Sequence, residues 1–242
     1  MEKTNISNHT DRRRFLGSIT AGAATLGLAS LFPPLQAGAN GDIPDFNPDD
    51  PDAWFKKLDG KKHKIVFDAT EPHELMPFIW PRVFLATNAA TNTPEKDCGV
   101  VVVLRHAGIP FAFEDKLWKK YNFAELFSIK ELPPFYQGSD KATVTSMRNP
   151  VWDPKKGDFM VPGIGALEIG INELQNNGVM FCVCNAAMTV YSNVVAAGMN
   201  MKAEDVYNEW KAGLLPGVQI VPSGVWAVGR AQEHGCSYCF AG

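Results

Sequence analysis

The chain has 242 residues, of which 45% are hydrophobic and 20% charged, and its net charge at pH 7 is −3. A chain of this length and composition can bury a complete hydrophobic core in one domain. Beyond the first forty residues there is no basic run and no alternation of basic with aromatic residues. This pattern excludes nucleic acid and an anionic membrane as expected partners.

The first 39 residues predict an export signal. Residues 11–16, DRRRFL, precede an uncharged run rich in Gly and Ala at 17–32, and small residues at 37–39 suit a signal peptidase. Paired arginines before such a run resemble a twin-arginine signal. The run has about 16 residues, fewer than the roughly 20 that span a bilayer, so cleavage is expected rather than an uncleaved anchor. Cleavage would remove four basic and two acidic residues and leave a periplasmic protein of net charge about −5.

The elements predicted after the signal alternate between strands and helices. Residues 40–62 are rich in Pro, Asp and Gly and predict an irregular arm. Apolar runs predict strands at 64–69, 99–104, 179–184, 218–221 and 238–240. Helical spacing predicts helices at 72–90, 116–127, 165–176, 189–197, 203–211 and 224–233. Residues 130–162 lack periodicity and predict an insertion over the mouth of a site.

This order of elements predicts the fold class. Repeated alternation of strand and helix is typical of α/β proteins with right-handed crossovers. We expect a three-layer α/β/α sandwich with a mainly parallel sheet over residues 63–242, including the insertion. Ligand sites in such sheets lie at the carboxyl ends of the strands.

Two of the five cysteines, Cys182 and Cys184, lie on the third predicted strand. They would point to one face with roughly 6.5 Å between their Cα atoms, at the upper edge of disulfide geometry. Cys184 comes last on the strand, where backbone amides of the next turn favour a thiolate. We therefore predict Cys184 as a nucleophile, Asn185 as a residue that orients a ligand, and Cys182 as a small buried hydrophobe.

Another two cysteines, Cys236 and Cys239, form a CxxC motif. A thioredoxin-type dithiol begins a helix, whereas this motif follows a predicted helix, which disfavours that activity. A local disulfide, a metal clip and a thiol pair that converges with Cys184 remain as interpretations.

A metal site is the alternative use of the paired cysteines. Tetrahedral thiolate sites bind zinc, and thiolates also bind copper(I). Such a site requires four thiols within roughly 4 Å of one another. Its ligands would be Cys182, Cys184, Cys236 and Cys239, with His106 and His234 as possible additions.

Other side chains offer few candidates. His106 follows the second predicted strand, where its imidazole can take a thiol proton, and a hydrogen-bonded structural histidine is the alternative. Asp68 and Glu168 are weaker candidates for site carboxylates, because isolated acids are usually solvated or cap helices. The sequence has no Gly-rich phosphate loop, GxSxG, HExxH or CxxCH motif, which disfavours the nucleotide, hydrolase, zincin and covalent haem classes.

Four segments resemble the DsrE/DsrF-like family of sulfur-relay proteins. They are KIVF at 64–67, VVVVLRHA at 100–107, NGVMFCVCN at 177–185 and LPGVQIVPSGV at 215–225. The resemblance covers about residues 64–240 and implies that family's α/β fold. In the family, a cysteine at this strand end carries sulfur as a persulfide, and Cys184 occupies that position. Family members commonly form dimers, trimers or larger assemblies, so a homo-oligomer is implied.

The sequence thus predicts a periplasmic sulfur carrier rather than a turnover enzyme. Cys184 would accept sulfane sulfur, His106 would assist, and Cys236 with Cys239 would resolve or relay the product. Its partners would be sulfur donor and acceptor proteins or small sulfur species, and no cofactor is required. The alternatives are a zinc- or copper-binding module and a protein whose thiols only form disulfides. A carrier requires an exposed, reactive Cys184, and the disulfide interpretation requires both cysteine pairs to be remote or buried.

Overall fold

The structure is a computed structural model that describes residues 50–129, 132–138 and 148–242. The predicted signal at 1–39 lies outside these residues, as do the start of the arm and parts of the insertion. The helices are α1 Pro51–Phe55, α2 Met76–Ala90, α3 Asp115–Tyr121, α4 Phe123–Leu126, α5 Ile171–Asn176, α6 Asn185–Met199, α7 Ala203–Ala212 and α8 Gly224–Glu233. The strands are β1 His63–Ala69, β2 Cys98–Leu104, β3 Met160–Val161, β4 Gly165–Ala166, β5 Val179–Cys184, β6 Val218–Val221 and β7 Ser237–Phe240.

Five strands form one parallel sheet in the order β6-β5-β2-β1-β7. The central strand β2 is buried along its whole length, as its run of valines predicts for a strand covered on both faces. The last strand of the sheet along the chain, β7, pairs with the first, β1. Helices flank the sheet, and the predicted α/β/α sandwich with a parallel sheet is confirmed.

Two hydrophobic clusters pack against the sheet. On β2, Val100, Val102 and Leu104 belong to the larger cluster, whereas Val101 and Val103 belong to the smaller one, as alternation along a strand requires. Buried aromatic residues dominate the larger cluster, each worth about 1.5–3 kcal/mol on burial; they include Phe78, Phe111, Phe113, Trp118, Phe123 and Trp210. Helices α1 and α8 contribute to the smaller cluster.

Several predicted boundaries are wrong, each for a local reason. The arm is not irregular throughout, because Pro51–Phe55 is helical and buries Trp54 and Phe55. Residues 165–166 pair with β3 in a short hairpin, so the helix predicted from 165 begins only at Ile171. The helix predicted from 72 begins at Met76, since His73–Leu75 have left-handed backbone conformations.

The described parts of the insertion are anchored in the larger cluster rather than confined to the surface. Tyr136 and Phe159 are buried and form an antiparallel bridge. Asn149 is fully buried and donates hydrogen bonds to the carbonyls of Phe111 and Phe113 at 2.8 and 3.0 Å. These contacts tie the insertion to the segment that follows β2. Among the described residues, no helix has both the length and the hydropathy needed to cross a membrane.

Candidate functional site

Polar residues mark the carboxyl ends of four neighbouring strands. Asp68 lies one residue before the end of β1, Arg105 follows β2 directly, Cys184 ends β5, and Ser223 lies shortly after β6. The parallel registers align these strand ends in space. The carboxyl edge of the sheet is therefore the candidate site, as expected for this fold class.

Cys184 is both the last residue of β5 and the N-cap of the 15-residue helix α6. The predicted helix at 189–197 thus starts earlier, at Asn185, and leaves no loop after the strand. The Cys184 Sγ accepts a hydrogen bond from the Ala187 N–H at 3.3 Å. The backbone N–H groups and the positive partial charge of a helix N-terminus attract anionic ligands to this position. Cys184 is only 6% exposed, so it meets the exposure required of a carrier cysteine only for donors small enough to reach a nearly buried thiol.

Arg105 and Asp68 form a two-point ion pair at the same edge. Arg105 Nε and Nη2 donate to the two Asp68 carboxylate oxygens at 2.6 and 2.8 Å. The Asp68 side chain is 3% exposed and that of Arg105 is 28% exposed. The hydrogen bond with Asp68 raises the pKa of Arg105, and the nearby Tyr238 and Cys184 add smaller contributions in the same direction. Arg105 is therefore a fixed cation that lies within electrostatic range of the Cys184 thiol.

Tyr238 on β7 completes this network. Its hydroxyl donates to Asp68 Oδ2 at 2.9 Å. Burial and the hydrogen bond to Asp68 raise the pKa of Tyr238, so the hydroxyl stays a donor at neutral pH. The carboxylate thus receives hydrogen bonds from two neighbouring strands, and the network links β7 to the region of Cys184.

The start of α8 lies directly against Arg105. A Cβ on Gly224, the first residue of α8, would stand 2.5 Å from Arg105 Cβ and 2.6 Å from its Cδ. Ser223 caps this helix by accepting the Trp226 N–H at 3.2 Å. The Ala186 N–H donates to the Pro222 carbonyl at 3.2 Å, which joins the first turn of α6 to the loop before α8. Two helix N-termini therefore begin beside Arg105.

The two cysteines of β5 have different environments. Cys182 has no exposed surface and packs in the smaller cluster, which agrees with its predicted role as a buried hydrophobe. Burial raises the pKa of its thiol. Cys184 instead packs against the larger cluster, and its Sγ contacts the Ala187 N–H in the first turn of α6.

The CxxC cysteines lie away from Cys184. Three strand spacings separate β5 from β7, which is about 14 Å across the sheet. Cys239 pairs with Phe67, below the strand ends. The predicted convergence of Cys236 and Cys239 with Cys184 is therefore wrong.

A local CxxC disulfide is not formed either. Cys236 packs in the smaller cluster and Cys239 against the larger one, on opposite faces of the sheet. Extended backbone places residues three apart at roughly 10 Å between Cα atoms, beyond the limit of about 7 Å for a disulfide. All five cysteines are free. Burial raises the pKa of Cys236 to about 11.

The structure does not bring the proposed metal ligands together. Cys182 and Cys184 lie on β5, whereas Cys236 lies just before β7 and Cys239 on it. The described residues contain no cluster of three or more His, Cys, Asp or Glu side chains suited to a metal. His234 follows the last residue of α8 and contacts Asp59 at 3.0 Å. His106 lies at the carboxyl edge, so the ten residues of α8, about 15 Å of helix, separate the two histidines.

Other predicted side chains take different places. His106 is exposed, and its ring contacts Tyr191 edge-on with centroids 6.0 Å apart. Within the described residues no hydrogen bond joins it to Cys184. The Asn185 amide oxygen accepts the Tyr207 hydroxyl at 2.5 Å, and this bond fixes the side chain against α7. Glu168 is exposed and lies before α5.

Neither Arg105 nor Tyr238 was predicted as a site residue from the sequence, and Asp68 was ranked only as a weaker candidate. A charged residue directly after a fully apolar strand was the available signal for Arg105. An acid near the end of the neighbouring strand was the corresponding signal for Asp68. Nothing in the sequence showed that Tyr238 would face the same carboxylate, because that contact depends on which strand lies beside β1.

Comparisons with known proteins give little beyond the fold. No protein-family model matches the chain, and no curated protein matches it. Among solved structures, the chain is similar to a protein of unknown function, MTH1491 from Methanobacterium thermoautotrophicum. The two are 17% identical with a TM-score of 0.37, and the match covers 74% of this chain and 99% of that one.

Proposed function

We propose that the protein carries sulfane sulfur as a persulfide on Cys184. The observation that supports this most directly is the position of Cys184 Sγ at the N-terminus of α6, where it accepts the Ala187 N–H. The positive end of the helix and the nearby Arg105 both attract an anionic sulfur species to this point. The resemblance to DsrE/DsrF-like proteins implies the same role for this residue.

The transfer step needs no external oxidant. The Cys184 thiolate attacks the outer sulfur of a hydrodisulfide anion, HSS⁻, and forms a new S–S bond. The donor's S–S bond breaks, and hydrosulfide leaves with its electron pair. The product is a Cys184 persulfide anion, so atoms and charge balance. The backbone N–H groups at the helix N-terminus suit the outer sulfur of the persulfide anion.

The roles of the other predicted residues change in this proposal. His106 contacts Tyr191 rather than the thiol, and the CxxC cysteines lie three strands away. We therefore propose a carrier with one sulfur-bearing cysteine and no internal relay. The periplasm remains the proposed location, on the strength of the twin-arginine pattern in the sequence.

The test is the intact mass of the protein before and after incubation with hydrodisulfide, followed by peptide mapping. We expect a gain of about 32 Da, or a multiple, on the peptide that contains Cys184. Cys184→Ser keeps an N-cap side chain and should abolish this gain. Cys239→Ser is the matched control on the edge strand and should leave it intact. Sulfur addition that persists in Cys184→Ser would refute the proposal.

A further inference from the structure

The guanidinium of Arg105 has unused hydrogen-bonding capacity. Its bonds to Asp68 use Nε and Nη2, which leaves both hydrogens of Nη1 and one of Nη2 as donors. Within the described parts of the chain, the guanidinium makes no other hydrogen bond. Its side chain is 28% exposed, so these donors can meet a ligand from solvent.

The position of Arg105 relates these donors to Cys184. Leu104 pairs with Val183 in the β2–β5 register, so Arg105 and Cys184 follow side by side on adjacent strands. Gly224 leaves room for the arginine side chain, and any larger residue would overlap it. The arginine is therefore held from two sides, by Asp68 and by the start of α8, within electrostatic range of the thiol.

We propose that Arg105 selects small anions as the reaction partners of Cys184, and that Asp68 and Tyr238 are positioning residues for its guanidinium. Planar guanidinium groups bind anions through paired N–H donors. The 6% exposure of Cys184 admits a small molecule more readily than a cysteine on a folded protein. That the anion carries sulfur rests on the proposed function, whereas anion selection at Cys184 does not.

The experiment compares two alkylating reagents of similar size and different charge. Iodoacetate is an anion and iodoacetamide is neutral, so their rate ratio at Cys184 reports the local charge rather than thiol reactivity alone. The full chain would be treated at pH 7.5, and modification of Cys184 followed by peptide mass spectrometry. The wild type would be compared with Arg105→Gln and Arg105→Lys, and the wild type would also be treated at low and at high salt.

The matched control is Arg82→Gln. Arg82 also forms an ion pair, with Glu95 just before β2, so it lies at the opposite edge of the sheet. The same substitution there removes an ion-paired arginine without touching the carboxyl edge. It should leave the rate ratio at Cys184 unchanged.

We expect Arg105→Gln to lower the iodoacetate-to-iodoacetamide ratio about fivefold, as loss of one nearby, solvent-screened charge implies. Arg105→Lys should keep most of the ratio because it keeps the charge. An unchanged ratio in folded Arg105→Gln would overturn the proposal. If that variant does not fold, the wild-type ratio at low and high salt decides, because salt screens a local positive charge, and a ratio that does not fall as salt rises would overturn it.

The two proposals fail separately. Loss of sulfur binding with an intact charge preference at Cys184 would refute the carrier function alone. A persulfide on Cys184 with no charge preference would refute the role of Arg105 alone.

Discussion

Arg105 and Gly224 are so close that no side chain at position 224 can fit between them. A Cβ there would stand 2.5 Å from the Cβ of Arg105, a separation that real Cβ atoms do not tolerate. Gly224 is the first residue of α8, so the whole helix starts against the arginine. The orientation of Arg105 toward Asp68 and the placement of α8 are therefore coupled.

Gly224→Ala should disturb this coupling. Either α8 or the Arg105 side chain must shift, and overpacking of this kind costs about 1–3 kcal/mol of unfolding free energy. Urea denaturation would measure the loss. The matched control is Gly229→Ala in the same helix, where a Cβ meets no atom within 4 Å. There, the better helix propensity of Ala should add about 0.5–1 kcal/mol. Equal effects at the two glycines would contradict the close contact.

Tyr238→Phe should destabilise the protein by about 0.5–1 kcal/mol, because it removes a hydrogen bond to the Asp68 carboxylate from a tyrosine that is 48% exposed and partly solvated. The pKa of Tyr238 is raised above its ordinary value of 10.0 in the folded protein. The contribution of this hydrogen bond to the unfolding free energy is therefore complete below pH 10. It is lost as the pH rises through the pKa of Tyr238 in the folded protein. Unfolding free energies of both proteins between pH 7 and pH 11 would show the difference shrink only at the alkaline end.

The control for that measurement is Tyr191→Phe. Within the described residues the Tyr191 hydroxyl has no hydrogen-bond partner, although its ring contacts His106 and Phe127. We expect a change below about 0.5 kcal/mol, as for substitutions that remove no specific contact. A loss as large as that of Tyr238→Phe would mean that the bond to Asp68 contributes nothing particular.

Cys236 should resist alkylation well above neutral pH. Burial raises the pKa of its thiol from 9.0 to about 11, so at pH 8 the thiolate fraction is about 100-fold lower than in the unfolded chain. Alkylation by iodoacetamide with and without urea, resolved by peptide mass spectrometry, would give the two rates. The folded rate should rise steeply between pH 9 and pH 11. Similar rates for the folded and unfolded chains at pH 8 would contradict the buried position of the thiol.

The sequence was sufficient to predict the strands and the end of β5. Continuous apolar runs such as 99–104 predict buried parallel strands wherever they end up in the sheet. The position of Cys184 could be predicted because it depends on the local change from strand to helix. The start of α6 was predicted four residues too late, at 189 instead of Asn185, because no loop or turn residue separates β5 from the helix.

The strand order could not be predicted, and the errors at the site follow from it. Whether β7 lies beside β5 or beside β1 depends on packing across the whole domain. The structure places it beside β1, which brings Tyr238 to Asp68 and carries Cys239 away from Cys184. The tyrosine of the site was therefore missed for the same reason that the CxxC motif was overvalued.

The pairing of β7 with β1 also determines when the site can form during folding. Asp68 and Tyr238 are 170 residues apart in the chain, and closing so long a loop is entropically costly and slow. The strands from β1 to β6 can associate before β7 is in place, but Asp68 then lacks one of its donors. We therefore expect the charged network to be completed late in folding. When refolding is monitored through the Arg105-dependent reactivity of Cys184, that signal should appear after the secondary structure.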